Sequence, residues 1–296
     1  MTTQHVNVHV NLGALLGQLQ HAIQRTIYLA ALGLNATPRL IQDDLQLLGT
    51  SISMQLAGPS VWPIEEAREG FEHWILMNGL RDATEAISGF LEETRMVLAV
   101  WQLGIRSRSG PVTGADWHEA TVSQQQRFHR LGLPDKIDNL QKSYSLLLDP
   151  DLVGHLRTIN NARNCLVHRQ GIVQERDVNE DGALRVSWRR LALVIQGPEG
   201  ERAGFPGAIV DVGETLYVSI RDVSKLFPLG NAISFSVQEF ADICWSLSLL
   251  GLSTTKLIED WARERGIELQ MPQDDTGENT APEDTTDRLS NERHAT

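Results

Sequence analysis

A mainly α-helical bundle with a small antiparallel β insertion before its last long helix is the fold class this sequence predicts. Three observations carry that expectation. Apolar residues recur at helical spacing through roughly the first 170 positions, the period changes to alternation between about 183 and 235, and a helical pattern then returns to about residue 265. With 296 residues, 41% of them apolar, the chain can bury a core, which excludes a disordered or collagen-like polypeptide.

Taken in order, Val6, Val8 and Val10 alternate and suggest a short strand. Leu12, Leu15, Leu16, Leu19, Ile23 and Ile27 trace one face of a helix that runs to Leu34. Thr37-Pro38 has the chemistry of an N-cap followed by a first helical residue. Gly58-Pro59 and Trp62-Pro63 mark a loop, after which a long helix is expected from Ile64 to Gly104. Residues 106–115 form a loop, with Asp116 as the cap of the next helix. Leu133-Pro134 opens a further helix to Leu148, and Asp149-Pro150 starts another that reaches His168 before Gly171 ends it.

Beyond Gly171 the alternating sets are Leu184/Val186/Trp188, Leu191/Leu193/Ile195, Val210/Val212 and Leu216/Val218/Ile220. Gly182, Gly197-Pro198 and Gly213 lie at the turns. They predict a sheet of three or four strands, and Ile233–Ser236 offers one more. Ser236-Val-Gln-Glu239 fits a capping box before the final amphipathic helix. The expected organisation is one helical domain over 1–269, with the β-rich insertion at about 183–235, and a disordered acidic tail over 270–296. That tail carries seven acids against Arg288 and Arg293, so it holds five of the twelve net negative charges.

Composition narrows the function classes. The longest apolar stretches, such as Cys244–Leu252, are broken by serine and fall short of the ~20 residues a membrane span needs. The first Lys or Arg is Arg25, and no charged segment precedes an apolar run as in a secretory signal. Cys165 and Cys244 cannot build a disulfide framework or a four-thiolate zinc site. The expectation is a cytoplasmic protein with no membrane partner and no cofactor or metal. A net charge of −12 argues against a cationic coat for gripping long nucleic acid, although it leaves room for a local basic pocket.

Most familiar motifs are absent. There is no phosphate-binding glycine loop with Lys-Ser/Thr, no strand–GxGxxG–helix, and His118-Glu119 lacks the second histidine of a zinc helix. Asp177-Val-Asn179-Glu-Asp181-Gly182 matches half of a calcium loop, but Trp188 stands where the bidentate glutamate belongs, so a strand-entry turn is expected. Cys165 and His168 are spaced as a thiolate pair, and a buried Cys packing as a small apolar residue is the preferred reading.

One segment carries chemistry. Arg157, Asn161, Asn164 and His168 fall at i, i+4, i+7 and i+11, one helical face bearing a guanidinium, two carboxamides and an imidazole. Such groups bind and protonate phosphate oxygens. Arg157, Arg163, Arg169 and Arg176 add a local basic strip. Arg163 and His168 are five residues apart, about 140° around a straight helix, so they meet only if the helix ends between them or two chains pool their copies. The alternative is that both are capping and packing residues at a helix C-terminus, where cations are favoured.

Arg163-Asn164-Cys165-Leu166-Val167-His168 resembles the Arg-x(4–6)-His motif of the HEPN superfamily (higher eukaryotes and prokaryotes nucleotide-binding). Phe71–Glu93 resembles that family's earlier long helix, and Leu133–Leu140 and Val167–Val173 resemble the approach to and exit from the motif helix. The resemblance spans roughly residues 65–175 and omits the β insertion. It implies a HEPN-like helical bundle that dimerises with its motifs facing, and a metal-independent endoribonuclease of the toxin or antiphage-defence kind. It further implies Arg163 orienting the scissile phosphate, His168 as general acid or base and Asn164 positioning one of them. Asn161, Arg157 and an acid from the earlier helix, Glu85 or else Asp82, would be accessory. The partners implied are a second copy, an RNA substrate and an antitoxin protein. The other reading is a non-catalytic HEPN-fold dimerisation or nucleotide-binding module.

Overall fold

The computed structural model describes residues 10–45, 62–205 and 207–269. The alternating residues 6–9, the Gly58-Pro59 turn and the acidic tail lie outside them. Seven α-helices are described: α1 Leu12–Ala36, α2 Ile64–Ser107, α3 Gly114–His118, α4 Gln124–His129, α5 Leu133–Tyr144, α6 Pro150–Arg169 and α7 Val237–Glu264. Three strands form one antiparallel sheet in the order β2–β1–β3: β1 Ala183–Gly197, β2 Gly200–Ala203 and β3 Thr215–Pro228. The chain is thus mostly helical, with a small antiparallel sheet before the last long helix.

The bundle is built on α2, against which α1, α5, α6 and α7 pack. The helix α1 starts at Asn11, whose side chain accepts from the Ala14 N–H (2.9 Å), and buries Leu12, Leu15, Leu19 and Ile23. Where α2 meets α7, Gly79 is required by closeness: a Cβ there would lie 2.6 Å from Cζ of Phe240. Ser236 and Glu239 form the expected capping box of α7.

Several boundaries differ from the sequence expectation. Thr37 is not an N-cap. It continues α1 into a short 3-10 turn, and its hydroxyl donates back to the Gly33 carbonyl (2.8 Å). Thr113, not Asp116, is the N-cap of α3: its hydroxyl accepts from Asp116 N–H, and the Asp116 carboxylate accepts from Thr113 N–H (2.9 Å). The α5 helix stops at Tyr144 instead of Leu148, because Ser145 is left-handed and Leu146 and Leu148 are buried in the connection that follows. Trp261 Nε1 then donates to the Tyr144 carbonyl (2.8 Å).

The sheet has three strands, within the expected three or four, but the segments that form them differ. Leu184–Trp188 and Leu191–Ile195 belong to one continuous strand, paired with β3 in unbroken register from Ala183↔Pro228 to Gln196↔Thr215. The apolar set changes face at Arg189-Arg190, yet pairing continues because carboxylates accept both guanidiniums. Arg189 meets Asp149 (3.0 Å) and Asp222 (3.4 Å), and Arg190 meets Asp242 (2.5 Å). Val210/Val212 is not a strand. The third strand is the polar Gly200–Ala203, zipped to β1 through the Pro198-Glu199 turn. Ile233–Ser236 adds no strand, although its neighbour Ala232 bridges to Ile172. A single cluster of buried side chains takes in both the helices and the inner half of the sheet, including Val186, Trp188 and Phe227.

A charged knot locks α4 and α5 to α2. Lys136, buried in α5, donates to Glu92 (2.5 Å) and Ser88 (2.7 Å), and His129 meets the same carboxylate (2.8 Å). Burial alone raises the Glu92 carboxyl. The hydrogen bonds from Lys136 and His129 outweigh it and hold the group below its ordinary range. A carboxyl depressed in the folded state stabilises fully above its unfolded value, and that stability is lost as pH falls through the lower folded value. Glu92→Gln is therefore expected to lower the denaturation midpoint at pH 7. Its deficit should shrink on acidification below about pH 4. An equal deficit at pH 7 and pH 3 would contradict this linkage.

Candidate functional site

The helix α6 begins with Asp149, whose carboxylate accepts from Asp151 N–H (2.9 Å) and Leu152 N–H (3.4 Å), and with Pro150 in its first turn. Leu152, Leu156, Ile159, Ala162 and Cys165 turn one stripe into the core, which leaves Asn161, Asn164 and His168 toward solvent. At the far end Gln170 and Gly171 take left-handed backbone, and Gly171 N–H closes onto the Cys165 carbonyl (3.2 Å). The chain is then held to the segment before α7 by Val173 N–H to the Asn231 carbonyl (3.0 Å). Gln174–Asp177 folds back in a short 3-10 turn with its own capping box.

This return makes an open cleft of about 330 Å³ lined by Asn161, Asn164, His168, Arg169, Arg176 and Asp177. Arg169 and Asp177 pair within it at 2.5 Å, and their side chains are only 8% and 4% exposed. Cys165 is buried next to them. Burial pushes its thiol up, the Asp177 charge adds to the rise, and Arg169 pulls the other way. That environment leaves the thiol protonated near neutral pH, so Cys165 acts as a packing residue. Burial likewise pushes the Cys244 thiol up to about 12.

The structure brings together only part of the expected set. Asn161, Asn164 and His168 share the cleft. Arg163 does not line it: one guanidinium nitrogen donates to Glu85 of α2 at 2.5 Å and another to the Asn164 carboxamide oxygen at 3.2 Å. Glu85 is thus the acid of the earlier helix that reaches the motif arginine, and Asn164 links that pair to the cleft. Arg157 lies away from the cleft, paired with Asp138 of α5 at 2.6 Å. Because α6 runs unbroken through Arg169, no helix end lies between Arg163 and His168 to let them converge within one chain. The Asn179–Gly182 segment is a turn into β1, with Asp181 N–H on the Asn179 side chain (3.0 Å), as its broken calcium pattern indicated.

Two features escaped sequence reading. Arg169 and Arg176 registered only as part of a basic strip, and nothing local announced that Asp177 would pair with Arg169. A Ser–His–Asp relay also joins α6 to the sheet: His155 meets Ser187 Oγ (3.1 Å) through Nδ1 and Asp222 (2.8 Å) through Nε2. The His155 hydrogen bond holds the Asp222 carboxyl below its ordinary range, against a smaller opposing effect of burial. The relay is unsuited to nucleophilic catalysis. Its acid is the solvent-exposed end, while the serine hydroxyl lies against Thr158 (3.2 Å) between helix and sheet.

Among the described residues no group of three or more His, Cys, Asp or Glu side chains gathers as a metal site, and no helix is long and apolar enough to cross a membrane. Fold and site together define a mostly helical protein with a three-stranded sheet and a polar, arginine- and histidine-lined cleft at the end of one helix. No family model, curated protein or solved structure matches the chain.

Proposed function

We propose that this protein is a HEPN-type, metal-independent endoribonuclease that works as a homodimer with a composite Arg/His site, in a toxin or antiphage-defence role opposed by an antitoxin protein. The observation that supports it most is the solvent-facing imidazole of His168 in a cleft with Asn161 and Asn164, while Glu85 orients Arg163, which lies outside that cleft on the same helix as His168. Two protomers supply two such histidines. One accepts the 2′-hydroxyl proton as the 2′-oxygen bonds to phosphorus, and the other protonates the 5′-oxygen as the P–O5′ bond breaks. Arg163 of the facing protomer offsets the charge that grows on the phosphorane oxygens, and Glu85 keeps its guanidinium in one orientation. A two-fold pairing overcomes the separation of Arg163 and His168 along one helix.

Incubation of the full chain with total cellular RNA in excess EDTA is expected to yield fragments ending in 2′,3′-cyclic phosphate and 5′-hydroxyl. Light scattering at micromolar concentration is expected to give a dimer. A strict monomer, or protein inert on RNA and harmless on expression, would instead favour a non-catalytic binding module. That second reading has one observation on its side: Glu85 and Asn164 already occupy the Arg163 guanidinium.

A further inference from the structure

We propose that the cleft at the C-terminal end of α6 is a phosphate-binding site in which Arg169 and Arg176 hold the anion beside His168. This deepens the nuclease reading, on which it rests for the expectation that the phosphate belongs to an RNA strand. The first support is Arg169. Its side chain is more than nine-tenths buried and one guanidinium nitrogen is matched to Asp177, but Nε is buried with no hydrogen-bond partner among the described residues. A buried, charged donor without an acceptor is rare in folded proteins, and this arginine lines the cleft.

The second support is the remaining lining. Arg176 is exposed, and its guanidinium donates to Gln174 in a single long hydrogen bond of 3.3 Å. His168 and Asn161 make no side-chain hydrogen bond among the described residues, and the Asn164 carboxamide nitrogen is likewise unengaged there. The cleft therefore presents two guanidiniums, an imidazole and two carboxamides, a donor set suited to several anionic oxygens on one centre. The only carboxylate, Asp177, is already engaged at both oxygens, by Arg169 and by the Gln174 N–H (3.0 Å). At about 330 Å³ the space lies at the lower end of small-molecule sites.

The test uses the full chain labelled for NMR, with His168 ring resonances as the reporter. Three probes are titrated: inorganic phosphate, adenosine 5′-monophosphate, and a short single-stranded RNA with hydroxyl ends. Saturable shifts of the His168 ring resonances are expected, since a bound anion would sit beside the imidazole. Arg176→Ala removes an exposed side chain and should weaken binding ~10-fold or more, the loss of a charge-assisted contact. Arg169→Lys keeps a charge but loses the fork, and should also weaken binding. Binding of the hydroxyl-ended RNA assigns the site to internal phosphodiesters. Binding of only the two monoanionic or dianionic small probes assigns it to terminal or free phosphates. The proposal is overturned if no probe saturates, if Arg176→Ala binds as tightly as wild type, or if Arg163→Ala weakens binding more than Arg176→Ala. Binding without cleavage would refute the nuclease reading and leave this site standing, whereas cleavage without saturable binding would do the reverse.

Discussion

Replacing His168 with alanine is expected to lower RNA cleavage by ~10²–10⁴-fold, the usual contribution of a general acid or base, while leaving the protein folded. Both halves of the expectation come from where the imidazole lies. It faces an open cleft and contributes nothing to the buried stripe of α6, so its removal opens no cavity. The rate effect is at the upper end if one imidazole accepts and the partner subunit's copy donates, because a symmetric dimer loses both at once. Arg163→Ala should also lower cleavage, through a smaller kcat more than a larger KM if the guanidinium acts on charge that develops in the transition state. It leaves behind a Glu85 carboxylate that is more than half exposed, so its effect on stability should be small. Thermal midpoints and end-group analysis of the same variants decide the matter. If His168→Ala unfolds the protein, or cleaves as well as wild type, the imidazole has no role in proton transfer.

How much of this was legible in the sequence differs by length scale. Asp149-Pro150 and Gly171 delimit α6 through local chemistry, the carboxylate cap and the left-handed exit, and both are where the pattern placed them. The face holding Asn161, Asn164 and His168 follows from helical spacing in the same way. The cleft does not, since it exists only because Val173 and Gly171 pair with Asn231 and Ile233 about sixty residues later, swinging Arg176 and Asp177 back onto the helix end. No local pattern encodes that return. The sheet shows the opposite failure. The switch of apolar phase at Arg189-Arg190 leaves open in the sequence whether one strand or two run from Leu184 to Ile195, and the carboxylates of Asp149, Asp222 and Asp242, all distant in sequence, explain why a single strand continues. Leu146 and Leu148 misled in a third way, because buried residues of a connection imitate the end of a helix.

Trp188→Ala is expected to destabilise the protein by about 3–5 kcal/mol, the range for deleting a large, fully buried aromatic side chain. Trp188 is wholly buried where the inner half of the sheet joins the bundle. Its ring packs edge-on to Phe235 with centroids 6.2 Å apart, within the cluster that holds Val186, Phe227 and the α6 stripe. Trp188→Phe should cost much less, because the indole Nε1 is buried without a hydrogen-bond partner among the described residues and little polar pairing is lost with it. By contrast Val218→Ser, on the outer half of β3 where Val218 is 60% exposed, should change stability by no more than about 0.5 kcal/mol. Denaturant unfolding followed by far-UV circular dichroism measures all three. The gradient from Trp188 to Val218 tests a division of labour within one sheet, in which the inner half belongs to the core and only the outer half is free to meet another molecule. A loss below about 1 kcal/mol for Trp188→Ala, well under the range for a filled core site, would show that the sheet is an appendage whose removal the helices tolerate.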